Sequence, residues 1–110
     1  MEILEKTSNT VTILKLVGRL DSLVVKDLKN RIHTLIQQGQ VKLVFDMSEV
    51  SFMDSSGLGG IVSALRAVSQ AGGDIRIASL QPRVRALFEL TRLHQVFQIF
   101  SDVDAAVHSY

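Results

Sequence analysis

Three times along this chain a short apolar run gives way to apolar residues at helical spacing, and that succession narrows the fold more than any other feature. VTILKLV (11–17) precedes Val24, Val25, Leu28, Ile32, Leu35 and Ile36. KLVFD (42–46) precedes Leu58, Ile61, Val62, Leu65 and Val68, and DIRIA (74–78) precedes Val84, Leu87 and Phe88. Apolar residues recurring three and four positions apart line one side of a helix, whereas a short apolar run or a two-residue alternation reads as a strand. Strand–helix pairs in series imply an α/β domain, with the middle strands parallel because the crossovers are right-handed.

The punctuation agrees. Residues 2–7 read as a further strand, joined to 11–17 at Ser8-Asn9 as a hairpin that adds antiparallel at an edge. Gly18 is expected to break the second strand, and Asp21-Ser22 to cap the first helix. Gln38-Gly39-Gln40 closes that helix, Gly72-Gly73 closes the next (57–71), and Pro82 suits the first turn of a third. VFQIF (96–100) reads as a short strand, and Asp102 caps a last helix through His108. The expectation is one domain over 1–110, a mixed sheet of four or five strands with an antiparallel N-terminal edge hairpin and about four packed helices.

Composition removes several classes of function. Apolar residues make up 46% of the 110, enough for a continuous core, and the net charge is only +1, with 12 basic residues against 11 acidic. Without a basic block or many aromatics, nucleic acid is not an expected partner. There is no cysteine, so thiolate metal sites and a thiol nucleophile are excluded. MEILEKTSNT lacks a signal peptide's apolar core, and no apolar run approaches the roughly 20 residues of a spanning helix. The chain reads as soluble and cytoplasmic, a monomer whose exposed edge strand could support a weak dimer.

The stretch SFMDSSGLGG (51–60) holds the chemistry. A functional loop over 47–56, at the carboxyl end of a strand, is where open α/β sheets place their sites. Ser55 or Ser56 can cap the following helix. Neither serine sits in G-x-S-x-G, because Met53 and Gly57 flank Ser55 at two residues, and Asp54 and Leu58 flank Ser56. His33, His94 and His108 carry no partner pattern that would make one a base. Gly57, Gly59 and Gly60 match neither G-x-x-x-x-G-K nor G-x-G-x-x-G. Three glycines early in a helix weaken it but leave a flat surface that another protein can approach closely. A serine at an exposed helix start can also accept a phosphate of about −1.5 to −2 charges beside Asp54. The residues permit such a switch without demanding it.

DMSEVSFMDSSGLGGIVSAL (46–65) resembles the signature of STAS domains, above all bacterial anti-sigma factor antagonists. GRLDS (18–22) is similar to that family's Gly-x-Leu-Asp element, and PRVRALFELTRLHQVFQIF (82–100) to its C-terminal segment. One departure is Thr91-Arg92-Leu93-His94, where the family carries Thr-Gly-Leu and an acid. Arg92 then needs a left-handed conformation or a changed turn. The resemblance implies a non-enzymatic partner-switching module that needs no cofactor of its own. Its partners would be an anti-sigma factor serine kinase, displaced from a sigma factor, and a metal-dependent serine phosphatase. Ser55 is the implied phosphorylation site and Asp21 the loop aspartate near it. The implied contact surface comprises Asp21, Ser22, Asp54, Ser55, Ser56, Gly57, Leu58 and Gly59. In that scheme Ser56 is the cap or an oriented neighbour, and Asp54 helps to present the Ser55 hydroxyl. The rival implication is a STAS scaffold, or an accessory subunit of a signalling assembly or membrane transport complex.

Overall fold

The computed structural model describes residues 2–110. The N-terminal hairpin forms from β1 (Glu2–Ser8) and β2 (Val11–Leu20). It is followed by α1 (Ser22–Gln37), β3 (Lys42–Met53), α2 (Ser55–Gln70), β4 (Asp74–Ala78) and α3 (Pro82–Leu90). A 3₁₀ turn at Leu93–Gln95, β5 (Ile99–Phe100) and α4 (Val103–His108) complete the chain. The five strands lie in sequence order, with β1 antiparallel to β2 and all later neighbours parallel.

Sequential parallel strands joined by right-handed crossovers carry their helices on one face. That face holds the main core, where Leu28, Ile32 and Leu35 of α1, Ile61 and Val68 of α2, and Val84 and Phe88 of α3 meet Leu14, Leu16, Phe45, Ile75 and Ile77. The opposite face carries a smaller cluster, Val11, Ile13, Val44 and Ala78 under Ala106 of α4.

Two expectations about strand length are corrected. Gly18 does not end β2; it continues the strand at φ 113, a conformation glycine adopts freely, beside a register shift between Gly18 and Arg19. β3 does not stop at Asp46 but runs on to Met53, so the expected loop over 47–56 is mostly strand. The cause lies in the pairing. Lys15 faces Asp46 and Val17 faces Glu49, then Gly18 faces Val50 and Arg19 faces Phe52, so β3 holds one extra residue at each of two places. Each bulge reverses which face the next side chain takes. The helix-facing residues are accordingly Phe45, Met47, Val50 and Met53, spaced two, then three, then three. That spacing hides a strand from a two-residue pattern.

The strand expected over 96–100 shrinks to Ile99–Phe100. Phe97 instead turns into the core, edge-on to Phe88 with ring centroids 5.9 Å apart.

Candidate functional site

Two Asp-Ser steps meet at one end of the sheet. Leu20 and Met53, the last residues of β2 and β3, are register partners, so Asp21 and Asp54 follow on neighbouring strand ends, where strands lie roughly 4.8 Å apart. Each aspartate keeps an extended backbone and caps a helix. Asp21 Oδ1 accepts from the Leu23 N–H at 3.1 Å, and Asp54 Oδ1 accepts from the Gly57 N–H at 2.9 Å. A short polar side chain here satisfies one of the N–H groups that a helix start leaves without a partner. Ser22 and Ser55 therefore become the first residues of α1 and α2, and both are exposed. The two helix starts, with their partial positive charge, point to the same surface.

Placing the cap on Asp54 corrects two expectations. Neither Ser55 nor Ser56 caps α2; both lie inside its first turn with exposed side chains. The Asp54 oxygen bonds the Gly57 backbone instead of presenting the Ser55 hydroxyl. Ser55 is thus held by main chain alone, between a strand end and a helix.

The expected contact surface divides. Asp21, Ser22, Asp54, Ser55, Ser56 and Gly59 gather at this end, the two aspartates half-buried and the rest exposed. Gly57 and Leu58 are turned away from it. A Cβ on Gly57 would overlap the Leu20 carbonyl, and the Leu58 side chain packs in the main core. Of the other two glycines in this stretch, Gly59 faces open space, whereas a Cβ on Gly60 would run into the Val25 side chain. The three glycines therefore serve three ends, and only Gly59 leaves the surface flat.

Arg19 and Phe52 escaped the sequence reading. They are register partners one residue before the two strand ends, and the Arg19 guanidinium lies 4.1 Å from the Phe52 ring centroid, a cation–π contact. The second bulge sets this pairing, so nothing short of the register could have found it. The histidines are scattered: His33 on α1, His94 in the 3₁₀ turn and His108 at the end of α4. Among the described residues no three His, Asp or Glu side chains cluster as a metal site, and no helix is long and apolar enough to cross a membrane. Perturbed ionisation lies elsewhere, in Tyr110 and in Lys15, whose pKa is raised by its hydrogen bond to Glu49.

Comparison with known proteins places this geometry. The chain is 32% identical over 85 residues to the anti-sigma-B factor antagonist of Staphylococcus aureus, covering 77% of this chain and 79% of the relative. A Thermotoga maritima protein provisionally assigned as an anti-sigma factor antagonist superposes with a TM-score of 0.91 at 25% identity, covering 97% of this chain and 92% of that one. The Bacillus cell fate determinant SpoIIAA, solved in its phosphorylated form, shares the fold with a TM-score of 0.77 at 23% identity over 98% of each chain. The STAS domain model matches residues 2–106. With nearly its whole length so matched, the chain belongs to the STAS domain family.

Proposed function

We propose that this protein is an anti-sigma factor antagonist whose docking surface is the paired helix start around Ser55. In its unmodified form it binds an anti-sigma factor serine kinase and thereby frees a sigma factor. Phosphorylation of Ser55 by that kinase releases it, and a metal-dependent serine phosphatase restores it. It acts by binding and performs no catalysis of its own.

The observation that carries this reading is the position of Ser55. Its side chain is exposed at the first position of α2, directly after the capping Asp54 and beside the Asp21-Ser22 start of α1. Family membership and the function named for its Staphylococcus relative support the same reading.

The physics is local. A phosphate at a helix N-terminus suits the helix itself, because the free N–H groups and the dipole favour negative charge. The fold need not change. The cost falls on the complex, where about two negative charges arrive beside Asp54 and Asp21 on a surface that the partner has dried. Roughly 3 kcal/mol of lost affinity suffices for about a hundredfold release.

Intact-mass spectrometry after incubation with ATP, Mg²⁺ and an anti-sigma factor kinase tests the proposal. One added phosphate on the wild type and none on Ser55→Ala is expected, with Ser55→Ala binding the kinase persistently and Ser55→Asp binding it more weakly. Phosphate on Ser55→Ala moves the site elsewhere. Loss of kinase binding by a fully folded Ser55→Ala ends the release scheme.

A further inference from the structure

β1 lies at the end of the sheet, and among the described residues no strand pairs with its outer edge. An open edge of seven residues is a template for another strand, and proteins usually guard such edges with charge. The charges on β1 do more than guard it. Its residues divide between the two faces of the sheet. Glu5 reaches Arg31 of α1 at 3.2 Å and Ile3 packs on the main core, so the odd positions face the helices. Glu2, Leu4 and Lys6 face the other way, all exposed, with Leu4 50% accessible although it is a large apolar side chain.

We infer that β1 is a homodimer edge, pairing antiparallel with β1 of a second copy about a two-fold axis at Leu4. An axis normal to the sheet keeps every residue on its own face, so opposed positions must share that face. Only a few registers remain. The one centred on Leu4 sets Glu2 against Lys6 of the copy, twice by symmetry, and Leu4 against Leu4. A register centred on Glu5 opposes two glutamates, and one centred on Lys6 opposes two lysines. Like charges directly opposite are unfavourable and unlike charges favourable. The sequence EILEKTS therefore penalises those two slipped registers and favours one.

The surroundings fit that register. Leu4, otherwise half-exposed, is covered by its own copy. On the helix side the edge opens onto a groove of about 390 Å³ lined by Ile3, Val24, Asp27, Asn30, Arg31 and Thr34. The groove receives the Ile3 and Glu5 side chains of the incoming strand, with Arg31 as the cation. Ten-residue β2 backs the strand along its whole length, since Glu2 to Ser8 are paired in register with Val17 to Val11. The template is thus rigid before the copy arrives, and little ordering cost remains.

Sedimentation equilibrium of the full chain, from about 1 µM to about 1 mM, reads this directly. The wild type passes from a 12.1 kDa monomer to a species of twice that mass. Glu2→Lys or Lys6→Glu alone weakens association about tenfold, because each creates two like-charge pairs in the dimer. The double variant Glu2→Lys/Lys6→Glu restores it, since the pairs return with their signs exchanged. Leu4→Lys abolishes it. All three positions changed are exposed, and circular dichroism melting confirms that each variant is folded. A wild type that stays monomeric to about 1 mM overturns the inference. So does a dimer indifferent to the single reversals, which uses another surface, or a double variant no better than the singles, which has another register.

Discussion

Gly57 and Gly59 stand two residues apart on α2, on nearly opposite sides of it, and they answer to different neighbours. Any Cβ at 57 meets the Leu20 carbonyl, a backbone atom that cannot swing aside. Overpacking of that kind typically costs about 1–3 kcal/mol, so Gly57→Ala is expected to lower stability by that amount. At 59 nothing lies within 4 Å of the added carbon, and alanine exceeds glycine as a helix former by about 1 kcal/mol. Gly59→Ala is therefore expected to stabilise by up to about that much. Urea denaturation of both variants checks the pair; two changes of the same sign would mean that the α2–β2 approach is drawn wrongly. The opposite roles were not legible in GLGG. Its letters announce a helix start and a smooth surface, but which glycine faces a neighbour depends on where β2 ends beside it. Asp54 shows a related limit. A carboxylate followed by two serines offers three possible caps, and only the extended backbone at 54, fixed by the end of β3, decides among them.

At the scale of elements, the α-helices were readable within about two residues at their ends because their stripes and punctuation are local. Gly39 and Gly72 do end α1 and α2 in left-handed turns, and Pro82 does open α3. β3 was read as less than half its length because two bulges shift its facing side chains, and bulges belong to a pair of strands rather than to one. The turn after α3 was legible as a departure. Arg92 adopts φ 61 and ψ 18, the left-handed conformation its position requires, and its N–H bonds the Glu89 carbonyl as the helix ends. A non-glycine residue held there costs about 1–2 kcal/mol, while glycine fits freely. Arg92→Gly is expected to raise stability by about 1 kcal/mol and leave the fold unchanged. Differential scanning calorimetry would register it as a higher melting temperature. A lower one would mean that the Arg92 side chain contributes more through its contacts than its backbone conformation costs.

Across the whole molecule, the proposed docking surface around Ser55 and a clamp built on Tyr110 lie at opposite ends of the parallel strands. Ser55 follows the carboxyl end of β3, whereas α4 closes over the beginnings of β3 and β4. There the Tyr110 hydroxyl accepts from the Leu43 N–H at 3.1 Å and shares its proton between the Leu43 and Asp74 carbonyls, at 2.6 and 2.7 Å. Arg76 covers the ring at 3.9 Å and donates to Ser109 and to Asp74. Burial, and then the nearby Asp74 charge, push the Tyr110 pKa above its ordinary 10.0. The folded state therefore holds the phenol proton more tightly than the unfolded chain does. The stability this contributes is complete below pH 10 and is lost as the pH rises from there toward the folded value, by up to about 1.4 kcal/mol per unit. Tyr110→Phe removes that dependence and leaves the carbonyls and the Leu43 N–H short of a partner, at about 1–3 kcal/mol. Because the chain has one tyrosine and no tryptophan, phenolate absorbance reports this residue alone. It is expected to appear near pH 10 in urea-unfolded protein and distinctly later in the folded protein, the gap closing where the fold itself gives way. Equal midpoints in the two states would mean that Tyr110 does not clamp the sheet in solution, and α4 would then have to be held by its apolar contacts and the Arg76–Ser109 hydrogen bond.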